Sequence, residues 1–121
     1  MRYNKKVYIP ETDIPKLNAL TDILNGKNWR YSSHAIDNVK YRTYNVKDTL
    51  LFIKGVKLEA ENIFEYYTEA EAITKICYRI PYINGMDLII VISATKELIT
   101  IFINSKDDLH YTLDKNIYTQ K

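Results

Sequence analysis

Ile80-Pro81-Tyr82-Ile83-Asn84-Gly85-Met86-Asp87-Leu88-Ile89-Ile90-Val91-Ile92 is a pair of apolar runs split by Asn-Gly. That dipeptide between apolar runs is the strongest short hairpin signal, because a type I′ turn needs positive φ at both central residues. It predicts strands near 72–82 and 87–93. Upstream, Val56, Leu58 and Ala60 alternate with Lys57, Glu59 and Glu61, so a strand with one wet face runs from 56 to about 67, ending in a turn over 68–71. Downstream, Thr95-Lys96 turns the chain into a strand near 97–104. Four strands in this order make an antiparallel meander.

Before residue 56 the apolar period is 3.6. Asp13-Ile14-Pro15 is a helix start, with a carboxylate to cap free N–H groups and proline in the first turn; Leu17, Leu20 and Leu24 follow at helical spacing, and Asn25-Gly26 is the stop. A second helix over 34–42, capped by Ser32 or Ser33, carries the narrow stripe Ala35, Ile36 and Val39. A third over 46–54 is capped by Asn45, ended by Gly55, and turns Val46, Leu50 and Ile53 inward. The predicted fold is a single α+β domain over 1–121: three N-terminal helices, the four-stranded antiparallel meander, and a C-terminal tail or short helix after Asn104.

A register that sets Glu65 opposite Lys75, Glu61 opposite Arg79 and Ile63 opposite Cys77 collects charge pairs on one side. It sets Phe64 against Ile76, Ala60 against Ile80 and Leu58 against Tyr82 on the other. Continuing through two tight turns places Ile80 beside Ile89, Tyr78 beside Val91 and Ile89 beside Phe102, under the second and third helices. Leu88, Ile90, Ile92, Ile99, Ile101 and Ile103 then share the opposite face, and so much aliphatic surface demands a cover. The cover is the first helix, the C-terminal segment with Leu109, Tyr111, Leu113 and Ile117, a second subunit, or a partner protein. With a second subunit, Ile90, Ile92, Ile99, Ile101 and Ile103 form a homodimer face.

The chain has 121 residues, room for one domain. With 17 Lys+Arg against 15 Asp+Glu, 46% hydrophobic residues and only 3 Gly and 3 Pro, it is neither a polyelectrolyte tail nor a disordered chain. No apolar run reaches the roughly 18 residues of a membrane span, and the charged start leads into no signal-type segment, so a cytoplasmic protein without membrane contact is expected. The one cysteine, Cys77, fits a reducing compartment and reads as a core thiol. Charge is uneven: residues 1–57 hold 11 basic and 5 acidic side chains, residues 58–121 hold 6 and 10. Abundant Ile, Lys, Asn and Tyr, all read from A/T-rich codons, point to a low-GC bacterium, plasmid or phage.

Lys27, Arg30, Lys40, Arg42 and Lys47 are interleaved with Trp29, Tyr31, Tyr41 and Tyr44, a mixture that holds phosphates and stacks bases. His34, Asn38 and Arg42 fall at i, i+4 and i+8 on one polar helix face. The expected binding surface is therefore Lys27, Arg30, Tyr31, His34, Asn38, Lys40, Tyr41, Arg42, Tyr44 and Lys47. No glycine-rich phosphate loop, metal-ligand spacing or nucleophile elbow is present, so no cofactor and no metal is expected.

Tyr31-Ser32-Ser33-His34-Ala35 with Arg42, followed by a helix and four strands, resembles a small bacterial and phage family of unassigned function. That family has a Ser-x-His-Ala, Arg, Arg helix pattern and looks like a relative of RelE, barnase and colicin type ribonuclease toxins. The resemblance covers 31–104; Asn38 stands where the family's first arginine is usual and Thr43 where a glycine is. It implies an endoribonuclease in which His34 is base or acid and Arg42 clamps phosphate, with His110 as the other histidine available. The residues themselves favour a different expectation, a small non-catalytic macromolecule-binding protein. Its role would be that of a phage or mobile-element inhibitor of a host defence complex (anti-CRISPR-like), its partner a host protein or ribonucleoprotein, with RNA contacted through the basic helices.

Overall fold

The computed structural model describes residues 9–42, 46–83 and 85–105. Along the chain these form α1 (Ile14–Leu24), β1 (Arg30–Tyr31), α2 (Ser33–Arg42), α3 (Val46–Gly55), a 3₁₀ turn (Ala60–Asn62), β2 (Ile63–Glu69), β3 (Ala72–Pro81), β4 (Met86–Ser93) and β5 (Glu97–Ser105). The strands make one five-stranded mixed sheet in the order β1-β5-β4-β3-β2, with β1 parallel to β5 and every other pairing antiparallel. The fold is α+β, but the expected layout is overturned. The sheet is not a four-stranded antiparallel meander, and the helices are not all N-terminal to it, because β1 lies between α1 and α2. Arg30 N–H donates to Lys96 O at 2.8 Å and Ser32 N–H to Leu98 O at 3.0 Å, which closes this parallel edge.

The predicted strand from 56 to 67 does not form as one piece. Residues 60–62 turn in 3₁₀ geometry and β2 starts at Ile63. The β2–β3 turn is the two-residue Ala70-Glu71 type, with φ of 49° and 69°, and Glu69 opposes Ala72. Register shifts between Ile63 and Glu65 and between Tyr67 and Thr68 then set Glu65 opposite Cys77 and Tyr67 opposite Lys75. The expected charge pairs are thus replaced: Lys75 Nζ sits 4.9 Å from the Tyr67 ring centroid, and Arg79 Nε donates to Asp87 Oδ2 at 2.7 Å.

The second correction concerns which face is which. Tyr82 N–H donates to Met86 O, so the β3–β4 loop is one residue longer than an Asn84-Gly85 turn, and Gly85 takes φ of 75°, the left-handed residue that closes such loops. Ile80 therefore opposes Leu88 and Tyr78 opposes Ile90, not Ile89 and Val91. One residue of slip exchanges the faces of a strand. Leu88, Ile90, Ile92, Leu98 and Ile101 join Ile76, Tyr78 and Ile80 against Leu17, Leu24, Ala35, Val39 and Ile53 of the helices, with Ile103 packed alongside. Each such side chain contributes about 1.5–3 kcal/mol on burial. Ile90, Ile92 and Ile101 are fully buried inside their own chain and offer no oligomer face; Ile99 is half-buried on the other side of the sheet.

That other side holds Phe64, Cys77, Ile89, Val91 and Phe102, all buried, together with the buried Glu65, Arg79 and Asp87. The Arg79 guanidinium lies 5.2 Å from the Phe64 ring centroid. The expected C-terminal tail or helix, from residue 106 on, lies outside the described residues, as does His110.

Polar ties fix the helices to the sheet. Asp13 makes no side-chain cap for α1, contrary to expectation; its carboxylate accepts from the Tyr66 hydroxyl at 2.8 Å. Burial, that hydrogen bond and the Asp13 charge push the Tyr66 phenol up to about 12. Thr21 Oγ1 and the Tyr78 hydroxyl meet at 2.7 Å inside the core, where burial pushes the Tyr78 phenol up to about 12. Ser32 is the α2 cap: its Oγ accepts from Ala35 N–H and donates to Ile99 O, both at 2.9 Å.

Candidate binding cleft

The segment after α1 is where three pieces of the chain are stapled together. Asn25 donates its amide to Leu58 O at 2.8 Å and accepts from Leu58 N–H at 2.7 Å, copying a strand pairing with one side chain. Lys27 and Asn28 then both take left-handed backbone, φ 65° and 63°, a conformation that costs a non-glycine residue about 1–2 kcal/mol. This sharp turn sends Lys27 Nζ to the end of α3, where it donates to Ile53 O at 3.1 Å and to Val56 O. A cation on terminal carbonyls suits the negative end of a helix dipole. Burial lowers the Lys27 pKa from its ordinary value. Trp29 Nε1–H donates to Leu24 O at 2.8 Å, which holds the indole, and the Lys27 ammonium lies 4.7 Å from its ring centroid.

The result is a cleft of about 800 Å³ lined by Lys27, Asn28, Trp29, Tyr31, Ile36, Leu50, Ile53 and Lys54. Ile53 is its buried floor. Ile36 on α2 is 44% exposed and Leu50 on α3 is 39% exposed, large apolar side chains kept in water. Lys47, Leu50, Leu51 and Lys54 recur at i, i+3, i+4 and i+7, so α3 shows an exposed stripe with lysines at both ends and Leu51 59% exposed between them. The expectation that Leu50 faces inward with Ile53 is corrected. Among the described side chains the inner face of α3 is Thr49, Phe52 and Ile53, with Phe52 edge-on to Tyr82 at 4.7 Å, and the side chain of Val46 lies outside what is described.

Of the expected surface residues, Lys27 and Tyr31 come together in this cleft. Burial raises the Tyr31 phenol pKa. Arg30, His34, Lys40 and Lys47 are exposed. Asn38 is not a surface residue: it is buried, with its amide donating to Thr100 Oγ1 on β5 and lying 3.4 Å from His34 Nε2. The side chains of Tyr41 and Arg42, and all of Tyr44, lie outside what is described, so the His34, Asn38 and Arg42 face is placed only through its first two members. Missing from the expected surface were Ile36, Leu50, Leu51 and Lys54. The signal for them is the adjacent Leu50-Leu51 pair, which is wider than one buried helix stripe.

A smaller groove of about 450 Å³ between α1 and residues 57–61 is lined by polar groups including Asn18, Asp22, Lys57, Glu59 and Glu61. Among the described residues no group of three His, Cys, Asp or Glu side chains is placed to hold a metal ion, and no helix is long and apolar enough to cross a membrane. No protein-family model, curated protein or solved structure matches the chain.

Proposed function

We propose that this chain is a small non-catalytic macromolecule-binding protein that docks through the α2–α3 side of the molecule. The observation that carries this reading is the pre-built cleft around Trp29. Its wall is tied by three sets of side-chain hydrogen bonds, and it leaves Ile36 and Leu50 partly in water, with Leu51 exposed beside them on α3, at about 1 kcal/mol each relative to full burial. Pre-organised aromatic and aliphatic surface with a cationic rim is the anatomy of a binding hot spot. Inhibition of a host defence complex by a protein of phage or mobile-element origin, the role suggested by composition, is one form this binding takes.

A photoreactive residue in place of Leu51 tests the reading in lysate. Saturable crosslinking to a discrete macromolecule, competed by unlabelled protein, is expected. The reading is overturned if position 51 gives no such product while Glu69, at the far end of β2, does. Incubation of the purified chain with total RNA is the second arm. Cleavage that disappears in His34→Ala would replace binding by the ribonuclease activity that the resemblance implies.

A further inference from the structure

We infer that the ligand of the Trp29 cleft is an acidic peptide segment of a partner protein, carrying a bulky apolar anchor side chain that enters between Trp29, Ile36 and Leu50. This inference rests on the binding reading above and names its ligand class.

Charge complementarity is the first argument. Among the described residues the lining carries two ammonium groups, Lys27 and Lys54, and no carboxylate. Lys47, exposed on the same α3 stripe, extends the positive rim. Asp37 and Asp48 sit on the same two helices but do not line the cleft. A ligand with carboxylates beside its anchor meets cations on both flanks of the α3 stripe.

The lining decides between a side chain and a nucleobase. A base carries donors and acceptors along its edge, and each buried without a partner costs about 1–3 kcal/mol. Here the floor and the two helix walls are Ile53, Ile36 and Leu50, which offer none. Two of the polar groups in the lining are already engaged, Trp29 N–H on Leu24 O and Lys27 Nζ on Ile53 O and Val56 O, which leaves only Asn28, the Tyr31 hydroxyl and Lys54 to meet a ligand's polar edge. Lys27 also lies over the indole ring, where a base would stack. Leu, Phe, Ile or Met loses nothing in such a site, and the volume admits one of them with its neighbouring backbone.

Trp29 is the chain's one tryptophan and reports the site directly. The test selects from a random 12-residue peptide display library on the immobilised full chain. Enriched peptides, synthesised without tryptophan, are then titrated against Trp29 emission. Enrichment of sequences with a large apolar residue beside two or more Asp or Glu is expected, with saturable change of Trp29 emission. Leu50→Ala should weaken binding about tenfold and Lys54→Glu about fivefold, both with the far-ultraviolet circular dichroism of the parent.

Basic or anchorless peptides, no enrichment at all, or affinity indifferent to both substitutions would overturn the inference. So would an oligothymidylate 12-mer that shifts Trp29 emission where the peptides do not, which would assign the cleft to single-stranded nucleic acid. Crosslinks from position 51 without acidic peptide binding leave the binding reading standing and remove only this inference. Loss of both removes both.

Discussion

Replacing Asp87 by Asn should be among the most damaging single changes in this protein. Asp87 is 0% and Arg79 3% exposed, and their N···O distance is 2.7 Å. Around them lie Phe64, Ile89 and the rest of the second apolar cluster. The carboxamide keeps the shape of the carboxylate but removes the charge that makes the Arg79 guanidinium tolerable in that setting. Removal of one member of a buried ion pair costs about 3–5 kcal/mol, a large share of the roughly 5–15 kcal/mol that holds a domain together. With a urea slope of about 1.5 kcal/mol per molar, the unfolding midpoint should fall by about 2–3 M. The triple variant Glu65→Leu, Arg79→Met and Asp87→Leu removes, among the described residues, every charge buried on that face and leaves it apolar around Phe64. It should recover most of the loss, since well-packed apolar replacements of buried pairs and triads are commonly neutral or better. A loss below about 1 kcal/mol for Asp87→Asn, the size of an exposed pair, would contradict a buried Arg79–Asp87 pair. A triple variant no better than Asp87→Asn would do the same.

Stability should also fall as pH rises from 10 to 12. The folded Tyr78 phenol titrates near 12 and the unfolded one near 10, so the folded state holds its proton longer; the associated stability is complete below pH 10 and is lost as pH rises through 12. Two pKa units correspond to about 2–3 kcal/mol, and Tyr78→Phe should flatten this part of the pH profile measured by thermal melts. The partly exposed Tyr66 acts in the same direction. Glu71→Gly should raise stability by about 1 kcal/mol, because φ of 69° is free for glycine and strained for glutamate; an unchanged or lower melting temperature would contradict that turn geometry. Asn25→Ala strips both hydrogen bonds from the Leu58 backbone and should cost about 2 kcal/mol in chemical unfolding.

The helices and strands were legible where periodicity is local. Asp13-Ile14-Pro15 marked the start of α1, and the end of the 3.6 period near residue 56 marked the end of α3, but the alternation of Val56, Leu58 and Ala60 was no strand, since β2 begins only at Ile63. What escaped was what depends on partners far along the chain. β1 is two residues, Arg30 and Tyr31, with no pattern of its own, and becomes a strand only because the edge of β5 offers it hydrogen bonds. Register failed for a smaller reason. One extra residue in the loop before Met86 and two shifts in β2 are enough to exchange the faces of apolar runs such as Leu88 to Ile92, which are apolar at every position and so carry no internal check. The cleft was half legible. The mixture of cations and aromatics at 27–31 pointed to it, but Leu50 was read as core because it shares a helical stripe with Ile53. The competing stripe of Lys47, Leu50, Leu51 and Lys54 is equally regular, and packing decides between them.

Leu50 belongs to a ligand site and not to the core. Leu50→Glu decides between the two, with urea unfolding and saturable crosslinking from position 51 performed on the same preparation. The expected result is a folding free energy within about 0.5 kcal/mol of the parent, as for ordinary surface positions, together with loss of the crosslink. A loss of 2 kcal/mol or more, the size of an apolar core defect, or a crosslink that survives unchanged, would contradict it.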